Sequence, residues 1–100
     1  MSSLPKRLKE ARLQAQLSQE RLGVMAGIDE MSASARMNQY ERGKHLPDPS
    51  MVERLAKVLN VPAAYFYANN EDVARLLVQF HRMKSTDKKR VLALIDEING

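Results

Sequence analysis

Hydrophobic positions in this chain recur at intervals of three and four residues almost throughout, the spacing of helices that bury one face. Leu4, Leu8, Ala11 and Ala15 predict a first helix over about Leu4–Ala15, with Lys6, Arg7, Lys9 and Glu10 between them. Pro5 suits its first turn, where a missing N–H costs nothing. Lys6, Arg7 and Lys9 read as a solvated face that adds long-range attraction to a polyanion. A second helix starts sharply at Ser18, a side chain able to cap it, with Leu17 and Leu22 at staple spacing and Glu20 at the positive end of the helix dipole. It should end near Ala26, with Gly27 as a left-handed stop.

Residues 28–33 fit either a loop or an early start to the next helix. Ser32 is a good cap, which favours a third helix beginning near Ser32 or Ala33 and running to about Arg42. Met37 and Tyr40, three apart, share its buried face. After Gly43 the prolines of His45-Leu46-Pro47-Asp48-Pro49 enforce a loop. The fourth helix has two rival starts: a Ser50–Glu53 capping box, or Asp48 with Pro49 at the first helical position. Val52, Leu55, Ala56 and Leu59 form its apolar stripe. A short helix over Ala63–Tyr67 follows, whose Tyr65, Phe66 and Tyr67 read as core rather than as a stacking platform for bases. Two further helices are expected over Glu71–Lys84 and Thr86–Asn99, joined by a tight turn at Ser85-Thr86.

The chain therefore reads as all-α. Its 100 residues allow one compact domain with a short appendage. The absence of cysteine excludes a disulfide scaffold, a thiolate metal site and a cysteine nucleophile. His45 and His81 have no acidic partner at ligand spacing, and no catalytic or phosphate-loop motif is present. Neither an enzyme, nor a metal site, nor a cofactor is expected. Without a signal peptide or an apolar run long enough to span a bilayer, the expected location is cytoplasmic, with no membrane partner. The net charge of +4 is uneven: residues 1–45 hold eight Lys/Arg against five Asp/Glu (8 − 5 = +3), and residues 46–100 eight against seven (8 − 7 = +1). A polyanion, if bound, belongs to the first half.

The span Leu17–Arg42 is helix, glycine turn, helix, and its second helix has an unusual make-up. Ser34, Arg36, Asn38 and Gln39 are hydrogen-bonding groups on a helix whose other face, Met37 and Tyr40, is apolar. A helix read into the major groove needs that division, since Asn and Gln pair with adenine and Arg with guanine. Leu17-Ser18-Gln19-Glu20-Arg21-Leu22, Ala26-Gly27-Ile28, Gln39-Tyr40-Glu41-Arg42-Gly43-Lys44 and Leu55-Ala56-Lys57-Val58-Leu59-Asn60-Val61 together resemble the Xre family, the Cro and phage-repressor type of helix-turn-helix.

The resemblance covers about residues 4–67. It implies a five-helix, lambda-repressor-like DNA-binding domain over residues 1–68, followed by a C-terminal helical hairpin over residues 69–100. It implies base contacts from Ser34, Ala35, Asn38 and Gln39, with Arg36 grouped beside them and open to a phosphate or a guanine. It implies phosphate contacts from Gln19, Arg42, Lys44 and His45, with Ser18 adding one to its capping role. Arg12 and Glu41 match an ion pair tying the first helix to the recognition helix, and Gly23 matches the small residue where the second and third helices cross.

Three departures stand out. The stretch between Gly27 and Glu41 is about four residues longer than the family's usual spacing. An expanded turn is the favoured explanation, because an earlier helix start would push Asp29 and Glu30 toward phosphates. Gln16 stands where the family often has a helix-ending glycine. Gly23 replaces the commoner alanine, which weakens the second helix by about 1 kcal/mol.

In the last third, Val73, Leu76, Leu77, Phe80 and Met83 stripe one helix, and Val91, Leu92, Leu94, Ile95 and Ile98 crowd the next. Two helices cannot cover that much apolar area between them. A homodimer through Leu77, Phe80, Val91, Leu94, Ile95 and Ile98 is expected, with the alternative that the hairpin folds back onto its own domain. Neither a jelly-roll sensor nor a self-cleaving domain is expected in the residues after the module. The resulting expectation is a transcriptional regulator, a repressor, that binds a double-stranded operator built as an inverted repeat. The alternatives are an antitoxin-type regulator that holds a protein partner through its hairpin, and an adaptor that kept the fold without DNA binding.

Overall fold

Leu4–Gln14 forms the first helix (α1) in a computed structural model that describes residues 3–100. The remaining elements are α2 (Gln19–Met25), α3 (Glu30–Glu41), α4 (Pro49–Leu59), a 3-10 helix (Ala63–Tyr67), α5 (Glu71–Arg82) and α6 (Ser85–Asn99). Among the described residues there is no strand, so the all-α reading stands. The first two residues of the expected 1–68 module lie outside those described.

The helix ends explain most of the local structure. The Ser18 hydroxyl accepts the Arg21 N–H at 2.9 Å and caps α2. Asp48, not Ser50, caps α4: its carboxylate accepts the Met51 N–H at 2.8 Å and Pro49 takes the first helical position. A carboxylate at the positive end of the dipole outcompetes a hydroxyl two residues later. Asn70 caps α5 by accepting from Asp72 and Val73. The α5–α6 break falls at Met83-Lys84, two residues earlier than the sequence suggests.

Four helices stop on a left-handed residue: Gln16 (φ 60°), Gly27 (95°), Gly43 (73°) and Asn60 (55°). At the first of these, Gln16 N–H bonds Leu13 O and Leu17 N–H bonds Arg12 O, so the chain turns tightly into α2. A side chain in this conformation costs about 1 kcal/mol relative to glycine. Gln16→Gly should therefore raise stability by up to about 1 kcal/mol, net of the extra unfolded-chain entropy of glycine. A urea midpoint that falls instead would mean that the Gln16 side chain contributes more than its backbone costs.

The core gathers Leu4, Leu8 and Ala11 of α1, Leu22 and Ala26, Ala33, Met37 and Tyr40 of α3, the α4 stripe, and Tyr65 and Phe66 of the 3-10 helix. Ala15 and Tyr67 were expected inside and are exposed. Ala15 is the residue on which α1 ends, and Tyr67 is exposed beside the ring pair that Tyr65 and Phe66 make at 5.7 Å.

Arg7 overturns the reading of a solvated face. Only 1% of it is accessible, and its guanidinium donates to Ala68 O at 3.0 Å, Glu10 at 3.2 Å and Glu71 at 3.1 Å. It also lies over the Tyr65 ring. Arg7 and Lys6 hold the Glu71 carboxyl below the usual carboxylate range, Arg7 contributing most. Burial, with Glu10 adding to it, pushes the Tyr65 hydroxyl up to about 12. These bonds tie α1 to the first turn of α5, across the boundary expected near residue 68.

α5 docks on the module through Ala74, Leu77 and Val78. Arg82 extends the seam by donating to Leu59 O and Asn60 O, carbonyls left over at the end of α4. α6 behaves differently. None of its residues is buried, and its link back to α5 includes Lys88 Nζ over the Phe80 ring at 5.7 Å. The helical pair after Asn69 is open rather than closed, and the molecule measures 52 × 28 × 22 Å.

Candidate nucleic-acid interface

The helix expected to begin near Ser32 or Ala33 begins at Glu30. Asp29 is its cap, accepting the Met31 N–H at 3.1 Å, and Ser32 lies inside the first turn with its N–H on Asp29 O at 2.9 Å. The four additional residues therefore lengthen α3 by a turn, and the expanded-loop reading is wrong. Its electrostatic premise fails for a simple reason of phase. Glu30 lies three and seven residues before Ala33 and Met37, so although exposed it stands off the outward stripe of the helix.

α3 divides cleanly. Ala33, Met37 and Tyr40 face the core, the first two without any accessible surface. Opposite them Met31, Ala35, Asn38 and Arg42, at steps of four, three and four, form an outward stripe, all exposed. Ser34 flanks this stripe on the side of Glu41. Gln39 and Arg36 flank it on the other, where they line a concavity with Tyr40, His45 and Leu46. The loop is held against α3 because Gln39 O accepts the Lys44 N–H at 2.9 Å and the His45 N–H at 3.4 Å. Arg42, Lys44 and His45 are all exposed along this rim.

α2 supports α3 at very close range. A Cβ built on Gly23 would meet the Ala33 Cβ at 2.9 Å, Met37 Cγ at 3.1 Å and Ala33 O at 3.2 Å. The glycine that weakens α2 as an isolated helix is what lets the two helices cross.

The opening of α2 is fixed to the end of α3 by a side-chain cluster. Arg12 donates to Glu41 through Nε at 2.6 Å and Nη2 at 3.1 Å, and through Nη1 to Leu17 O at 2.9 Å. Gln19 Nε2 reaches the same carboxylate at 3.2 Å. Gln19 is thus half-buried, its amide held on Glu41 at the edge of the surface. Ser18 is exposed, its oxygen engaged as the cap.

The profile of the helix-turn-helix family matches residues 8–66. The chain belongs to the helix-turn-helix family. Its resemblance to the Xre, Cro-like branch holds, and a family match of this kind is not that of an enzyme. The crystal structure of transcriptional regulator BswR matches the fold with a TM-score of 0.88 and 45% identity, over 94% of this chain and 93% of that one. That match extends past the helix-turn-helix module into α5 and α6. Among curated proteins none matches. No helix among the described residues is long and apolar enough to cross a membrane.

Sequence reasoning placed the polar members of the α3 surface but missed Met31, which is 92% exposed. The signal was available: counting back from Asn38 and Ala35 by helical steps lands on Met31, once Asp29 is accepted as the cap.

In the C-terminal pair, Leu94 (54% exposed), Ile95 (36%) and Ile98 (73%) are open on α6, and Val91 and Phe80 are half-buried near the junction. Leu77 differs from the rest of this set. It packs against the chain's own core, because the α5 face carrying Ala74 and Val78 is the one that docks.

Proposed function

We propose that this chain is a sequence-specific DNA-binding transcriptional regulator that reads the major groove of a duplex operator with α3. The observation that carries the reading is the division of α3. A helix that buries Ala33, Met37 and Tyr40 also presents short, uncharged hydrogen-bonding groups outward beside a basic rim. In this reading Asn38 and Gln39 contact bases, assisted by Ser34, Ala35 and Arg36, and Arg42, Lys44, His45, Gln19 and Ser18 position the phosphates. Repression by occupancy of the operator is its simplest output.

A homodimer on an inverted repeat accompanies this reading. Its support is the apolar face of α6, which the chain itself leaves uncovered and which a second copy would bury. The same face favours the second reading, an antitoxin-type regulator with a protein partner there. Replacing Leu94 and Ile98 by aspartate should convert a dimer into a monomer in sedimentation. If the double variant sediments as wild type does, α6 does not hold the dimer.

The decisive experiment is fluorescence anisotropy with DNA from upstream of the protein's own gene against a scrambled duplex, at two salt concentrations. Specific binding should weaken with salt at a log–log slope of about −0.9 per phosphate neutralised. Asn38→Ala and Gln39→Ala should each cost about 1–3 kcal/mol and relax sequence preference, whereas Arg42→Ala and Lys44→Ala should weaken all sequences alike. A Gln39→Ala protein that ranks every duplex as wild type does would remove Gln39 from the reading face.

A further inference from the structure

The leading turn of α3 carries an apolar group with nothing to pack on. Met31 is 92% exposed, the most accessible large hydrophobic side chain of the described residues, and it stands in line with Ala35, Asn38 and Arg42 on the outward face. A thioether has no hydrogen to donate and is a weak acceptor, so it reads no polar base edge well. In the major groove the one apolar feature is the 5-methyl group of thymine. Seven residues separate Met31 from Asn38, about 10 Å along the helix axis at 1.5 Å per residue, or about three base pairs.

We propose that Met31, with the Ala35 methyl beside it, is a specificity-determining residue that contacts a thymine 5-methyl group about three base pairs from the base read by Asn38. The inference rests on the reading of α3 as a major-groove helix. The flexible, polarizable side chain suits this role, since it can settle against a methyl group without a fixed angle of approach. The additional helical turn thus lengthens the site that is read, from a patch centred on Asn38 and Gln39 to one that includes a thymine beyond them.

Deoxyuridine removes that methyl group and alters no hydrogen bond. Duplexes selected from a random pool by the wild-type protein supply the site, and each thymine of a half-site is then replaced by deoxyuridine in turn. Wild-type affinity should fall about three- to tenfold at one position and its symmetry mate. Met31→Ala should bind the unmodified duplex more weakly by a similar factor and be indifferent to deoxyuridine there. Because Met31 is exposed, this variant should keep the wild-type melting curve. If the penalty at every thymine is the same in wild type and Met31→Ala, the inference is overturned while the α3 reading survives on Asn38→Ala. If selection enriches no sequence at all, the α3 reading fails and the Met31 assignment with it.

Discussion

Arg12→Ala should lower folding stability by about 3–5 kcal/mol, a large part of what a domain of this size possesses. The guanidinium is nearly enclosed, with 10% of its side chain accessible, and Glu41 is more so at 3%. Removing the arginine leaves the Glu41 carboxylate with Gln19 Nε2 as the remaining side-chain donor seen on it and strips Leu17 O of its Nη1 partner. The net worth of the intact pair is small, because both charges were taken out of water to form it; the cost lies in the charge left behind. Consequently Arg12→Ala with Glu41→Ala should recover most of the loss, as read by urea denaturation. A single variant within about 1 kcal/mol of wild type would mean that water reaches the carboxylate and solvates it.

Met37→Asp should unfold the module outright. Met37 has no accessible surface and sits where α3 crosses α2, its Cγ within 3.1 Å of where a Gly23 Cβ would be. A carboxylate at a position without accessible surface costs several kcal/mol, added to the lost apolar burial. Met37→Leu keeps volume and polarity and should cost less than about 1.5 kcal/mol. Circular dichroism melting separates the two outcomes: no cooperative transition for aspartate, a near-native one for leucine. A native melting temperature in Met37→Asp would place residue 37 on the surface and rotate the whole α3 assignment.

Periodicity made the helices and the division of α3 legible, because both follow from spacing within one segment. The Ser18 cap and the Gly27 stop were equally local. What failed was competition between near-equivalent signals. Ser32 and Asp29 can each start a helix, as can Ser50 and Asp48, and in both cases the aspartate prevails because its charge adds the dipole term to the hydrogen bond. Arg7 was misread for a different reason. Its position on the Leu4–Leu8–Ala11 side of α1 put it inward, but two of its partners, Ala68 and Glu71, lie over sixty residues away, and the sequence does not show that they would be there to satisfy a buried charge. The open setting of α6 was also beyond reach, since an apolar stripe states that a face wants cover and not which surface supplies it.

The separation of faces along α3 has an evolutionary consequence. Met31, Ala35, Asn38 and Arg42 share no position with Ala33, Met37 and Tyr40, and they project where their replacement disturbs no packed neighbour. Mutations in the outward set are thus close to invisible to folding, so descendants of this sequence could drift from one target to another through fully folded intermediates. The inward set is held far more narrowly: a methyl added at Gly23 would stand 2.9 Å from the Ala33 Cβ, so the platform tolerates only changes that keep its volume and polarity.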